Sequence, residues 1–148
     1  MRETYPDLVE RHVRPGEVKL VSETLVFLGP DSVAAGKAAL AVGEQDRYWN
    51  YAALLFLNQG AENSGYATNE FLTRLANQTR GLEVGRWNEA RGSGSVRSQI
   101  EAAGARAQTA GVSSTPTLVV SGPGGVRKLV GAVPIEDVEA TIDKVDGS

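Results

Sequence analysis

The chain has 148 residues, 41% of them hydrophobic and 22% charged, a composition suited to one globular domain that buries about two thirds of its unfolded surface. Fifteen basic residues against eighteen acidic ones leave a formal charge of −3, without the basic excess that a phosphate-backbone binder needs, which argues against nucleic acid as a partner. There is no cysteine, so these residues form no disulfide, thiolate nucleophile or cysteine metal site, and the lone histidine, His12, reads as a helix-surface residue rather than a ligand or base.

In chain order, Asp7-Leu8-Val9-Glu10-Arg11-His12-Val13 has helical spacing and Pro15-Gly16 closes it as a turn. Glu17-Val18-Lys19-Leu20-Val21-Ser22 alternates polar with β-branched or apolar residues and reads as a strand that runs on through Glu23–Leu28 to Gly29-Pro30. Asp31-Ser32 offers oxygens that cap free N–H groups, ahead of an Ala-rich helix from Ser32 to Gln45. A second helix is expected from about Asp46 to Asn58; its Tyr48, Trp49, Tyr51 and Phe56 read as core, with a hydrophobic peptide groove as the alternative.

Thr68-Asn69-Glu70 opens a helix with Phe71, Leu72, Leu75 and Ala76 on one face and Gly81 at its end. A turn around Val84–Arg91 carries Trp87, Gly92-Ser93-Gly94-Ser95 reads as a loop, and Val96–Ala110 is helical again. The last third changes character. Pro116–Ser121, the turn Gly122-Pro123-Gly124-Gly125 and Val126–Gly131 have the form of an antiparallel hairpin, followed by a helix from Pro134 through Val145.

No apolar run approaches the roughly 20 residues that cross a bilayer, and Met1–Pro6 lacks the apolar core of a signal peptide. Glu62, Glu70, Glu83, Glu89 and Glu101 read as solvated faces rather than an acid–base pair. The Gly92–Val96 tract lacks the Lys-Ser/Thr that completes a phosphate loop. No metal or cofactor site is expected.

The segment Gly111-Val112-Ser113-Ser114-Thr115-Pro116-Thr117 sets a proline at the entrance of a strand, where it cannot donate to a ladder but can adopt a cis peptide bond. GVSSTPTLVV, the Gly-rich hairpin and the terminal helix resemble the second half of the DsbA-like thioredoxin family, whose pattern is G-V-x-x-T-P-T followed by an apolar residue. PDLVERHVRPGEVKLV is similar to the end of that family's first helix and its next strand, the stretch from Leu28 through Ala76 to its helical insertion, and LEVGRWNEA to the turn after it.

The resemblance implies an α/β, thioredoxin-like fold over residues 1–148 as a single domain, with a helical insertion at about 31–110 and without the first central strand. It implies a cis-proline at Pro116 and an extended peptide or protein substrate held by Ser114, Thr115 and Pro116. The family's Cys-x-x-Cys turn and the strand before it belong ahead of Met1, so the residues present imply a thiol–disulfide oxidoreductase domain without its own redox activity. Its setting would be extracytoplasmic or membrane-anchored if a leader precedes Met1, and cytoplasmic if the chain is complete.

Two alternatives stay open. One is a redox-inert module that binds peptides or completes its sheet with a partner strand or in a homodimer. The other is a glutathione-dependent isomerase of the wider DsbA superfamily, which needs a serine at the first cysteine position; Ser22, Ser32 and Ser113 lie elsewhere.

Overall fold

The computed structural model describes residues 4–147. Its elements are α1 (Thr4–Leu8), continued by a π-helical turn (Val9–Val13), α2 (Gly29–Gly43), α3 (Tyr48–Leu57), α4 (Asn69–Gln78), α5 (Val84–Ala90), α6 (Gly94–Thr109), β1 (Thr117–Gly122), β2 (Gly125–Val130) and α7 (Ile135–Asp146). They form two compact units, one spanning Glu23–Arg106 and the other built from residues up to Ser22 together with those from Ala107 onward.

The Glu23–Arg106 unit is all-helical, around a core that includes Ala38, Val42, Tyr51, Leu72, Leu75, Trp87 and Val96. Small residues let α2 come close: a Cβ on Gly36 would collide with the Val26 side chain. Two buried polar side chains find backbone acceptors, the Trp87 indole N–H at the Ala38 carbonyl (2.9 Å) and the Tyr51 hydroxyl at the Leu72 carbonyl (3.0 Å). Burial in this apolar setting pushes the Tyr51 phenol well above its ordinary range. The Arg91 guanidinium lies 4.8 Å from the centre of the Trp87 ring, within cation–π reach.

Helix starts follow local chemistry. The Thr68 hydroxyl accepts from the Phe71 N–H (3.1 Å) to cap α4, and Ser93 does the same for Val96 (3.1 Å), so the Gly92–Ser95 tract is the start of α6 as well as a loop. Asp31 departs from expectation. It lies in the first turn of α2 without capping it, and its carboxylate accepts from the N–H groups of Gly65 (2.9 Å) and Ala67 (3.4 Å), holding a distant loop. Helix α3 departs too: Tyr51 is core, but Trp49 is 40% and Phe56 62% exposed, because α3 is apolar on more faces than its neighbours cover.

The second unit packs α7 against the hairpin and α1, around Leu8, Ile135 and Val138, with Leu20, Leu118, Leu129, Val133 and Ile142 beside them. The hairpin runs antiparallel from Thr117↔Val130 to Gly122↔Gly125 without a bulge. Its turn lies against the end of α7: the Gly124 N–H donates to the Val145 carbonyl (2.7 Å), and a Cβ on Gly122 would collide with that carbonyl oxygen.

The strand expected at Glu17–Ser22 is not formed. Val18 and Leu20 are half-buried while Lys19 and Val21 are exposed, the alternation the sequence announces, but no strand among the described residues forms a ladder with this segment, and the Glu17 and Val18 N–H groups donate to the His12 carbonyl instead (both 3.0 Å). A strand requires a hydrogen-bonded neighbour as well as a side-chain pattern. The sheet among the described residues is therefore the β1–β2 pair.

His12 is not a plain surface residue either. Its ring is flanked by Glu17 at Nδ1 (3.0 Å) and Glu139 at Nε2 (3.3 Å), and Arg11 reaches the same Glu139 carboxylate (3.1 Å). The Arg11 and His12 hydrogen bonds hold the Glu139 carboxyl below the usual carboxylate range.

Candidate functional site

The three residues singled out in the sequence sit together at the entrance of β1: Ser114 and Pro116 half-buried, Thr115 exposed, with the Thr115–Pro116 peptide bond cis. The Thr117 hydroxyl donates back to the Ser114 carbonyl (2.7 Å), and the Gly131 N–H donates to the Pro116 carbonyl (2.8 Å). Upstream, α6 closes through the Val112 N–H on the Ala107 carbonyl (2.8 Å), and the Lys128 ammonium donates to the carbonyls of Gly111 (2.7 Å) and Ala110 (3.3 Å). The loop is thus anchored at both ends while Thr115 faces solvent. Lys128 and Gly131 were not foreseen as part of this loop; the lysine's only sequence signal was its place in the second hairpin strand.

The ladder sets which backbone groups are open. Gly122 and Gly125 flank a two-residue turn, and Pro116 accepts from Gly131, so Pro116, Leu118, Val120 and Gly122 direct their backbone groups toward the β2 side. Thr117, Val119 and Ser121, alternating with them, direct N–H and C=O groups to the opposite edge of β1. Among the described residues no strand pairs with that edge.

The remaining nominations separate from this loop. Glu62, Glu70, Glu83, Glu89 and Glu101 are all exposed, and Gly92–Ser95 serves the start of α6. Among the described residues no group of three or more His, Asp or Glu side chains is arranged to hold a metal ion, and no helix is long and apolar enough to cross a membrane.

The family model described as thioredoxin matches residues 1–144. The chain belongs to the thioredoxin family. Among solved structures, BdbD from Bacillus subtilis in its oxidised form superposes with a TM-score of 0.76 at 21% identity, over 96% of this chain and 76% of that one. A thioredoxin-like oxidoreductase from Silicibacter pomeroyi gives 0.77 at 23% identity, over 99% and 79%. At these identities the two structures speak to the fold: this thioredoxin-family chain has the thioredoxin-like α/β form with a helical insertion. No curated protein matches the sequence.

Proposed function

We propose that this thioredoxin-family domain holds an extended polypeptide beside Ser114, Thr115 and Pro116 and takes no covalent part in thiol exchange through its own residues. The observation that supports this reading is the loop at the entrance of β1, where Thr115 is exposed between the half-buried Ser114 and Pro116 and the loop is held by the Thr117 hydroxyl on the Ser114 carbonyl and the Gly131 N–H on the Pro116 carbonyl. An extended chain laid beside such a loop can be held through main-chain hydrogen bonds, which depend on no particular side chain. Thiol–disulfide exchange proceeds by attack of a thiolate, and these 148 residues contain no cysteine; any thiolate must come from residues beyond them or from another chain.

The experiment is a titration of isotope-labelled protein with an extended, cysteine-free peptide, followed by backbone amide signals. The reading expects perturbation at Ser114, Thr115 and Thr117 and a rate of dithiol oxidation no faster than the redox buffer alone. Perturbation confined to other residues, or catalysed oxidation, overturns it.

A further inference from the structure

Resting on the reading above, we infer that Lys128 is a positioning residue for the Ser114–Pro116 loop: its ammonium fixes where the loop starts, and with it how Thr115 is presented to a bound polypeptide. The last carbonyls of a helix have no partners within it. At the end of α6 the Val112 N–H donates to the Ala107 carbonyl (2.8 Å) and the Gly111 N–H to the Gln108 carbonyl (3.0 Å), with Gly111 in the left-handed region at φ 62°, the paired bonds of a glycine-closed helix end. This closure uses neither the Ala110 nor the Gly111 carbonyl. Lys128 donates to both, at 3.3 and 2.7 Å.

The lysine thereby ties together the two ends of one segment. Its backbone stands opposite Val119 in the hairpin while its side chain reaches Gly111, so the stretch from Gly111 to Val119, with Ser114, Thr115 and Pro116 inside it, is closed by the ladder at one end and by the ammonium at the other. A positive charge suits this place, because it meets two carbonyls and the negative end of the α6 dipole at once, which an uncharged side chain of the same length does not. Gly111 and Lys128 are both exposed, so the contact holds backbone in place without belonging to the core of the unit. Its loss should therefore reach the loop before it reaches stability. A loop whose start is released samples more arrangements, and affinity for a polypeptide falls with the fraction of molecules that keep the competent one.

The test compares Lys128→Met, Lys128→Arg and Arg127→Met in the whole chain. Lys128→Met keeps the aliphatic stem without the charge, Lys128→Arg restores charge and donors, and Arg127→Met removes one positive charge from the adjacent residue, whose guanidinium donates to the Val126 carbonyl. Backbone amide relaxation is measured without peptide, and affinity by titration with the extended, cysteine-free peptide. In Lys128→Met the amides of Val112, Ser113, Ser114 and Thr115 should lose order while those of Val120 and Arg127, within the ladder, keep theirs, and the peptide should bind about threefold to tenfold more weakly. Lys128→Arg and Arg127→Met should both behave as the wild type. Unchanged loop amides in Lys128→Met, loosening that extends equally to Val120 and Arg127, or a loosened loop with unchanged affinity overturns the inference and leaves the proposed function standing. A wild-type protein that binds no peptide overturns the proposed function, and the amide measurements made without peptide still decide whether the lysine holds the loop.

Discussion

The hydroxyl of Thr117 donates to the carbonyl of Ser114 at 2.7 Å, tying the first residue of β1 to the residue that precedes Thr115-Pro116. Thr117→Val keeps the β-branched shape and removes the donor. A neutral hydrogen bond contributes about 1 kcal/mol to stability, so the unfolding free energy should fall by about that much. Urea denaturation checks this, and a midpoint that does not move would contradict that contribution.

Trp87 and Ala38 make the corresponding test of the helical unit. Trp87→Phe deletes a fully buried indole N–H, leaves the Ala38 carbonyl without it and opens space in the core. A loss of about 2–4 kcal/mol in unfolding free energy is expected. Urea denaturation measures it, and an unchanged midpoint would contradict the role given to this hydrogen bond.

Two glycines should respond with opposite signs. Gly122→Ala drives a methyl group into the Val145 carbonyl and should destabilise the hairpin–α7 unit by about 1–3 kcal/mol. Gly85, inside α5, has open space where a Cβ would go, so Gly85→Ala should stabilise by about 0.5–1 kcal/mol through helix propensity and a less flexible unfolded chain. Calorimetry on the two variants reads both shifts.

Stability should decline at both ends of the pH scale for separate reasons. Glu139 has its carboxyl lowered by Arg11 and then His12, so the native state favours its charged form; that contribution is present above the unfolded carboxylate range and is lost as pH falls through the depressed native value. Glu139→Gln should flatten the acid limb below about pH 4.5. Tyr51 has its phenol raised by burial, so the unfolded chain ionises first and stability falls as pH rises beyond about 10. Tyr51→Phe should be less stable at neutral pH but less sensitive to alkali, which denaturant midpoints between pH 3 and 11 would show.

Much of this architecture was legible because side-chain period and turn chemistry are local. Gly122-Pro123-Gly124-Gly125 between two apolar runs announced the hairpin, and Ile135, Val138, Ile142 and Val145 announced α7. What stayed hidden depends on neighbours distant in sequence. Val18–Ser22 carries a strand's alternation, yet no residue in its own pattern states whether another strand lies beside it. Asp31 was readable as an acceptor of backbone N–H groups, but that these belong to Gly65 and Ala67 depends on how the loop returns.

The same limit applies to the candidate site. Ser114-Thr115-Pro116 was nominated from its motif, whereas the fact that Thr117, Val119 and Ser121 direct their backbone groups away from β2 follows only from the register. The exposure of Trp49 and Phe56 also escaped the pattern of α3, since an apolar helix declares what it could bury and not what neighbours it meets.

Both tryptophans, the buried Trp87 and the half-exposed Trp49, belong to the unit spanning Glu23–Arg106, while the chain's only histidine belongs to the other. Tryptophan emission therefore belongs to the helical unit, and the His12 ring resonances, set between Glu17 and Glu139, belong to the unit of the hairpin and α7. The wild-type protein thus carries a separate built-in reporter in each unit, so the unfolding of one can be followed apart from that of the other.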